Sequence, residues 1–372
     1  MRLTFYFIFI LNFCFAEPIE HTVFFKLHHE AGSPAAHAFH REAIKLGSLP
    51  GVENFKWVKQ VSAKNDFDYG LTMTFQDEAA YKAYDQHPLH VKFVQEIWIP
   101  NVSTYLEIDW IPSPWMSLLD ENLSAWEIWT GVPHKELGKL PDGIDEQVSL
   151  SDDGRTGTPV GLSDPFGIFT VSYENGEPVL AVSGEVYAGL TSLEVYSDYH
   201  LTMEVKWGEA KYAPRSQLKR DSGVLYHCYD EHGQFWNVWK RSLELQIQEG
   251  DMGDLYQLAG PKSTTRTNDG NVWDPTSEPS TKSGHVIRQK DHESPNGEWT
   301  RIDLYVMGDR AIHMVNGEIV LALESALNHK NESLIEGQIQ IQSEGAEVYY
   351  RDIRIRSIDR FPSAVASLAF PM

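Results

Sequence analysis

Cysteine is nearly absent: Cys14 and Cys228 are the only two in 372 residues. Basic residues are scarce too, with 31 Lys and Arg against 53 Asp and Glu, a net charge of −22. A field of that sign repels phosphate backbones. The nearest approach to a basic patch is Lys206, Lys211, Arg215, Lys219 and Arg220, and acids surround it, so no nucleic-acid partner is expected. Nor is there an uninterrupted apolar run of the roughly 20 residues that a membrane span requires. No self-similarity at a fixed period points to a repeat architecture.

What is present starts with MRLTFYFIFILNFCFAEP: one Arg, an apolar run from Leu3 to Phe15, then Cys14-x-Ala16 before a polar start. This reads as a secretory signal peptide over 1–16, giving a secreted or periplasmic protein. Its removal leaves Cys228 alone, so no intrachain disulfide is expected and stability falls to ordinary apolar cores. An apolar content of 42% with 23% charged residues supplies them, and the length calls for two domains.

Residues 19–110 form the first. His21–Lys26 reads as a strand. Ser33 caps a helix with Pro34 at its first position, running to Leu46 before Gly47. Strands follow at Phe55–Ser62 and Tyr69–Phe75, helices at Glu78–His87 and Leu89–Glu96, and a last strand at Val102–Ile108. That order predicts an α+β ferredoxin-like domain. With His21, the Leu49–Val52 turn, Tyr69-Gly70, Tyr81-x-x-Tyr84, His87-Pro88-x-His90 and Asp109-Trp110, the segment resembles the stress-responsive alpha/beta barrel (Dabb) domain. The resemblance implies a homodimer through this domain, sheet on sheet. It also implies a cleft holding His21, Tyr84, His87 and His90, the residue types with which one branch cyclises polyketides. The plainer reading is that His87 and His90 bracket a helix break.

Trp110-Ile111-Pro112-Ser113-Pro114-Trp115 is a short linker stiffened by two prolines. Beyond it, short alternating strands with Gly and Asn turns run from 115 to 357, predicting an all-β jelly-roll sandwich. Residues 358–372 read as a C-terminal tail. Two stretches without periodicity, Gly131–Asp164 and Gln257–Glu298, are long enough to be rims over a site, the second around Trp273 and His285.

The chain is organised around DSGVLYHCYDEHGQFWNVWKRSLELQIQEGDMGD, 221–254. Leu243, Leu245 and Ile247 face one way, and Glu244, Gln246 and Gln248 the other, which is a strand with one buried and one wet face. The neighbouring strand brings up His227. A carboxylate and amides in register suit a sugar, and Glu249, Asp251 and Asp254 are oxygen ligands for a divalent cation: calcium, magnesium, manganese or zinc. Each residue has a plainer reading. Glu244 could pair with Lys206 or Arg351; Trp236 and Trp239 could pack a loop rather than stack on a sugar; the acidic run could be a solvated turn.

Tyr199-His200-Leu201, Ser222-Gly223-Val224-Leu225-Tyr226-His227, Glu244-Leu245-Gln246-Ile247, Gly297-Glu298-Trp299, Val315-Asn316-Gly317, Gly337–Gln342 and Tyr350-Arg351-Asp352-Ile353 resemble the concanavalin-like 3-keto-disaccharide hydrolase, or 3-keto-glycoside lyase, family. They occur in the family's order. His227 stands where an arginine is common there, and the acidic run after Gln248 is longer than usual. The resemblance implies cleavage of a 3-keto-glycoside by proton abstraction at C2 and loss of the C1 oxygen, with metal assistance. Glu244 and His227 would be catalytic, and Lys206, Gln246, Gln340, Trp236, Trp239 and Arg351 would bind substrate. A non-catalytic carbohydrate-binding protein is the alternative, because such sandwiches host both.

Overall fold

A computed structural model describes residues 18–112 and 114–371. The expected leader, with Cys14, lies outside the described residues. The chain divides into two compact units between Pro114 and Trp115.

In the first unit a four-stranded antiparallel sheet runs Glu53–Lys59, Tyr69–Phe75, Ile19–Leu27, Val102–Trp110 in spatial order. Val23, Phe25 and Leu27 alternate inward with Leu71, Met73 and Phe75. They meet Phe39 and Ala43 from the helix Pro34–Ala43 and Tyr84 from the helix Glu78–Asp85. Both helices start at side-chain caps: Ser33 Oγ, as expected, accepts from the Ala36 amide at 3.2 Å, and Asp77 Oδ1 accepts from that of Ala80 at 2.7 Å. The ferredoxin-like expectation holds.

The second unit is a sandwich of two antiparallel sheets. One has seven strands, in the order Leu255–Leu258, Arg241–Gln248, Asp221–Tyr229, Gln338–Ser343, Ala188–Ser192, Trp126–Thr130, Gly161–Leu162. The other is built on Tyr199–Lys211, Thr300–Met307, Arg310–Val315, Glu318–Leu327 and Ala346–Ser357. Val224, Tyr226, Leu243, Leu245, Ile247, Ile339 and Ile341 of the first sheet pack between the sheets with Leu201, Met203, Val205, Ile302 and Leu304 of the second. The supposed tail is not one: Ser363–Ala369 is a helix whose Val365 and Ala369, with Phe361, join that same core. Among the described residues no helix is long and apolar enough to cross a membrane.

Candidate functional site

Asp221–Tyr229 and Arg241–Gln248 pair antiparallel, Gly223 against Gln246 and Leu225 against Glu244. With Leu243, Leu245 and Ile247 in the core, Glu244 and Gln246 stand on the outer face of the seven-stranded sheet. Half of that face is filled. Phe235, Trp236, Val238 and Trp239 pack over Leu225, Cys228 and Tyr187. The remaining half, around Gly223, is polar.

Three carboxylates, Asp221, Glu244 and Glu344, gather there, each no more than 5% exposed. Arg215 pairs with Asp221 and, at 3.4 Å, with Glu344. Gln246 and Gln248 donate to Asp221 at 3.2 and 2.5 Å. Glu244 has no hydrogen-bond partner among the described residues. Its Oε1 and Gln342 Oε1 converge over Gly223, so close that a Cβ on that residue would clash with both. Gln246 Oε1 and Gln342 Oε1 are buried acceptors without a partner among the described residues, a state that leaves them able to take a donor. Burial raises all three acids. Asp221 reaches about 7, with Arg215 pulling the other way. Glu244 and Glu344 rise well above the ordinary range, first through burial and then through the charge of Asp221, again opposed by Arg215.

Arg155, from the first long aperiodic stretch, lies 3.3 Å over the Trp236 ring and near Tyr187, and its Nε has no partner among the described residues. On the other flank Tyr256 stands directly across from Glu244. His285 stacks on Tyr256, with ring centroids 4.3 Å apart.

The expected constellation is only partly assembled. His227 does not join Glu244. A β-bulge between Tyr226 and Tyr229 takes it out of alternation with φ +51°, and its Nε2 lies 3.1 Å from Gly308 O in a turn of the other sheet. Burial lowers its pKa to about 4, so the ring is neutral structural filling. Lys206 and Arg351 belong to the other sheet. Arg351 bonds Glu204 at 2.6 Å, and both cations lie over Trp299, at 4.5 and 4.1 Å. A bulge at Asp352, φ +53°, breaks the parity that would have set Arg351 with Ile353. Neither reaches Glu244. Trp239 is 1% exposed and offers no face to a sugar. One face of Trp236 is taken by Arg155. Gln340 spends its amide on Thr191 Oγ1, at 2.6 Å, and the Lys240 amide, at 3.3 Å.

The three supposed metal ligands are already neutralised. Glu249 pairs with Arg220 at 3.2 Å, and Asp251 with Lys219 and with Arg288 at 3.5 Å. Asp254 takes Arg288 and His285 at 2.9 and 2.7 Å. Burial would raise Asp254, but these bonds outweigh it and hold the carboxylate ionised. Carboxylates each matched by a cation do not fit a divalent ion.

In the first unit His21, Tyr84 and His90 line a cavity of about 630 Å³ with Phe93, Trp98 and Tyr105. His21 Nδ1 lies 2.7 Å from Asp109, which also accepts from Tyr81 at 2.9 Å. His90 packs on Tyr84, centroids 4.4 Å apart. His87 does not line this cavity; it caps the helix Pro88–Phe93, Nδ1 accepting from the Leu89 amide at 3.2 Å. Among the described residues, the one group of three acids and histidines close enough to share a metal ion is His21, Glu107 and Asp109.

Sequence reading missed Asp221, Glu344, Arg215, Arg155, Tyr256 and Gln342 as site residues. Two were within its reach: Glu344 continues the phase of Gln338, Gln340 and Gln342, and Asp221 continues that of Gly223.

Residues 114–356 match the 3-keto-alpha-glucoside-1,2-lyase-like domain, and residues 19–112 the Stress Responsive A/B Barrel Domain. Among solved structures, a Dabb protein with a ferredoxin-like fold from Mesorhizobium loti is 42% identical over 26% of this chain and 97% of its own, TM-score 0.26. A dimeric ferredoxin-like protein from Thermobifida fusca is 17% identical over 26% of this chain and 92% of its own, TM-score 0.24. A Parabacteroides distasonis protein provisionally named a glycosyl hydrolase is 16% identical over 66% of this chain and 100% of its own, TM-score 0.36. No curated protein matches.

Proposed function

Because this chain belongs to the 3-keto-alpha-glucoside-1,2-lyase-like family over 114–356, we propose that it cleaves 3-keto-glycosides outside the cytosol, by elimination across C1 and C2. The observation that carries this reading is Glu244: a buried acid with a raised pKa and no hydrogen-bond partner among the described residues, set among amide oxygens on the polar half of the sheet's outer face.

A ketone at C3 acidifies the hydrogen at C2. When a base removes it, the electron pair forms the C1–C2 double bond and the C1–O bond breaks. The departing oxygen needs a proton, and an acid kept neutral by burial supplies one. Gln246 and Gln342 offer acceptors to sugar hydroxyls. The guanidinium of Arg155 and the hydroxyl of Tyr256 are donors suited to an enolate oxygen.

The test is aglycone release from a 3-keto-glucoside and from its unoxidised parent, with and without chelator. Turnover of the keto form alone, lost in Glu244→Gln, is the expected result. Turnover of the parent sinks the elimination mechanism. Saccharide binding without turnover of either leaves a carbohydrate-binding protein. The first unit serves, on this proposal, as an assembly module, pairing with a second copy through the outer face of its sheet.

A further inference from the structure

The elimination needs a base as well as an acid, and the carboxylates of the site do not offer one. Asp221 and Glu344 are tied to Arg215, and Glu244 is assigned the acid. His227 and His313 are also unsuited. His227 is bonded to Gly308 O, and His313 lies between the sheets, bonded to Tyr226 Oη at 2.9 Å and Gly253 O at 3.1 Å.

Two imidazoles border the face that carries Glu244. His232 is bonded to Glu127 at 3.0 Å and stacked on Trp129 of Trp126–Thr130, four strands away from Glu244; the other stands close to it. Leu255 and Val286 exchange both backbone bonds at 2.9 Å, and both side chains are buried in the core. Alternation then sets the adjacent pair, Tyr256 and His285, on the opposite face, the face of Glu244. The row across the sheet is therefore Glu244, Tyr256, His285. Two strand spacings put the backbones of its ends on the order of 10 Å apart, with Tyr256 between. His285 Nε2 lies 2.7 Å from Asp254 Oδ2, and Asp254 is fixed in turn by the Arg288 amide and guanidinium, both at 2.9 Å. A buried carboxylate on one ring nitrogen keeps the proton there and leaves a lone pair on the other. Nδ1, the free nitrogen, has no partner among the described residues, and the side chain is 37% exposed.

We propose that His285, oriented by Asp254, is the base that takes the C2 proton of the 3-keto-glycoside on Nδ1. This rests on the elimination reading above. The C2–H bond breaks to His285, the C1–C2 double bond forms, the C1–O bond breaks, and Glu244 returns a proton to the leaving oxygen. Water then exchanges the two protons and resets both groups.

The acid and the base separate in deuterated buffer, where loss of the C2 hydrogen is followed by NMR apart from aglycone release. Wild type is expected to do both. Glu244→Gln keeps the C2 exchange and loses release. His285→Ala loses both by about 10²–10⁴-fold, and added imidazole restores the exchange. Exchange retained in His285→Ala overturns the assignment. So does a loss that imidazole does not restore in a variant with native circular dichroism, since that marks a structural role. A wild type that neither exchanges nor releases removes the elimination reading first, and the base assignment with it.

Discussion

Glu244 occupies the space that a side chain on Gly223 would need. The two residues face each other diagonally across adjacent strands, and a Cβ on Gly223 would come far inside 3.0 Å of both Glu244 Oε1 and Gln342 Oε1. Gly223→Ala must therefore displace the acid or the amide, at about 1–3 kcal/mol of overpacking. The expected outcome is a modest fall in the urea midpoint with a loss of turnover of at least about tenfold, measured on the same preparation, because misplacing a reacting group is costly.

Three buried acids with raised pKa values tie stability to pH. The folded state keeps protons on Asp221, Glu244 and Glu344 that the unfolded chain has already released. Their contribution is full below the ordinary carboxyl range. It is lost as pH climbs through the folded values, the Asp221 value being about 7. Glu244→Gln carries no such proton. Its thermal midpoint relative to wild type should rise as pH climbs above the ordinary carboxyl range; a constant difference would mean that Glu244 ionises normally.

His227 is a structural residue. Replacing it with Ala removes the partner of Gly308 O and leaves a gap at the bulge, for a loss of about 1–3 kcal/mol in denaturant unfolding. Turnover per folded molecule should stay near wild type. A catalytic collapse with unchanged stability would return the imidazole to the site.

Arg288 does the work that a cation was expected to do in the acidic turn. Arg288→Ala leaves the buried Asp254 with only His285 beside it, a change worth about 3–5 kcal/mol, and it should lower the thermal midpoint sharply. Chelator should leave the wild-type midpoint where it was; a chelator-sensitive midpoint would place a metal in the turn after all.

Leu106, Ile108 and Trp110 are 44–46% exposed in one register on the outer face of the first unit's sheet. Contiguous apolar surface of that kind marks an interface. Ile108→Lys is expected to halve the mass measured by light scattering, with the monomer still folded. A wild type that is already monomeric would dispose of the assembly role.

The sequence determined the strands and the two faces of each wherever apolar and polar residues alternate, even where, as around Glu244, the fold then buries both faces. Arg241–Gln248 is the clearest case, with three aliphatic residues in strict alternation. Glu244 and Gln246 were legible for that reason. Ala188–Ser192 was not, because its run of Ala, Gly, Leu, Thr and Ser carries no strict apolar–polar alternation. Bulges defeated the reading most directly. One extra residue at His227, and another at Asp352, reverses every side chain beyond it, and the pattern of apolar residues carries no mark of the insertion.

Partnership was decided only in three dimensions. Asp251, Asp254 and Glu249 look like ligands in the chain because their neighbours in sequence are acids and glycines; Arg288, Lys219 and Arg220 come to them through space. His285 sits 41 positions beyond Glu244, in a stretch with no periodicity, and one backbone pairing with Leu255 brings it onto the same face. Local alternation is written in the chain because water selects it residue by residue. Which charges meet depends on how distant strands are laid side by side, and only the folded chain settles that.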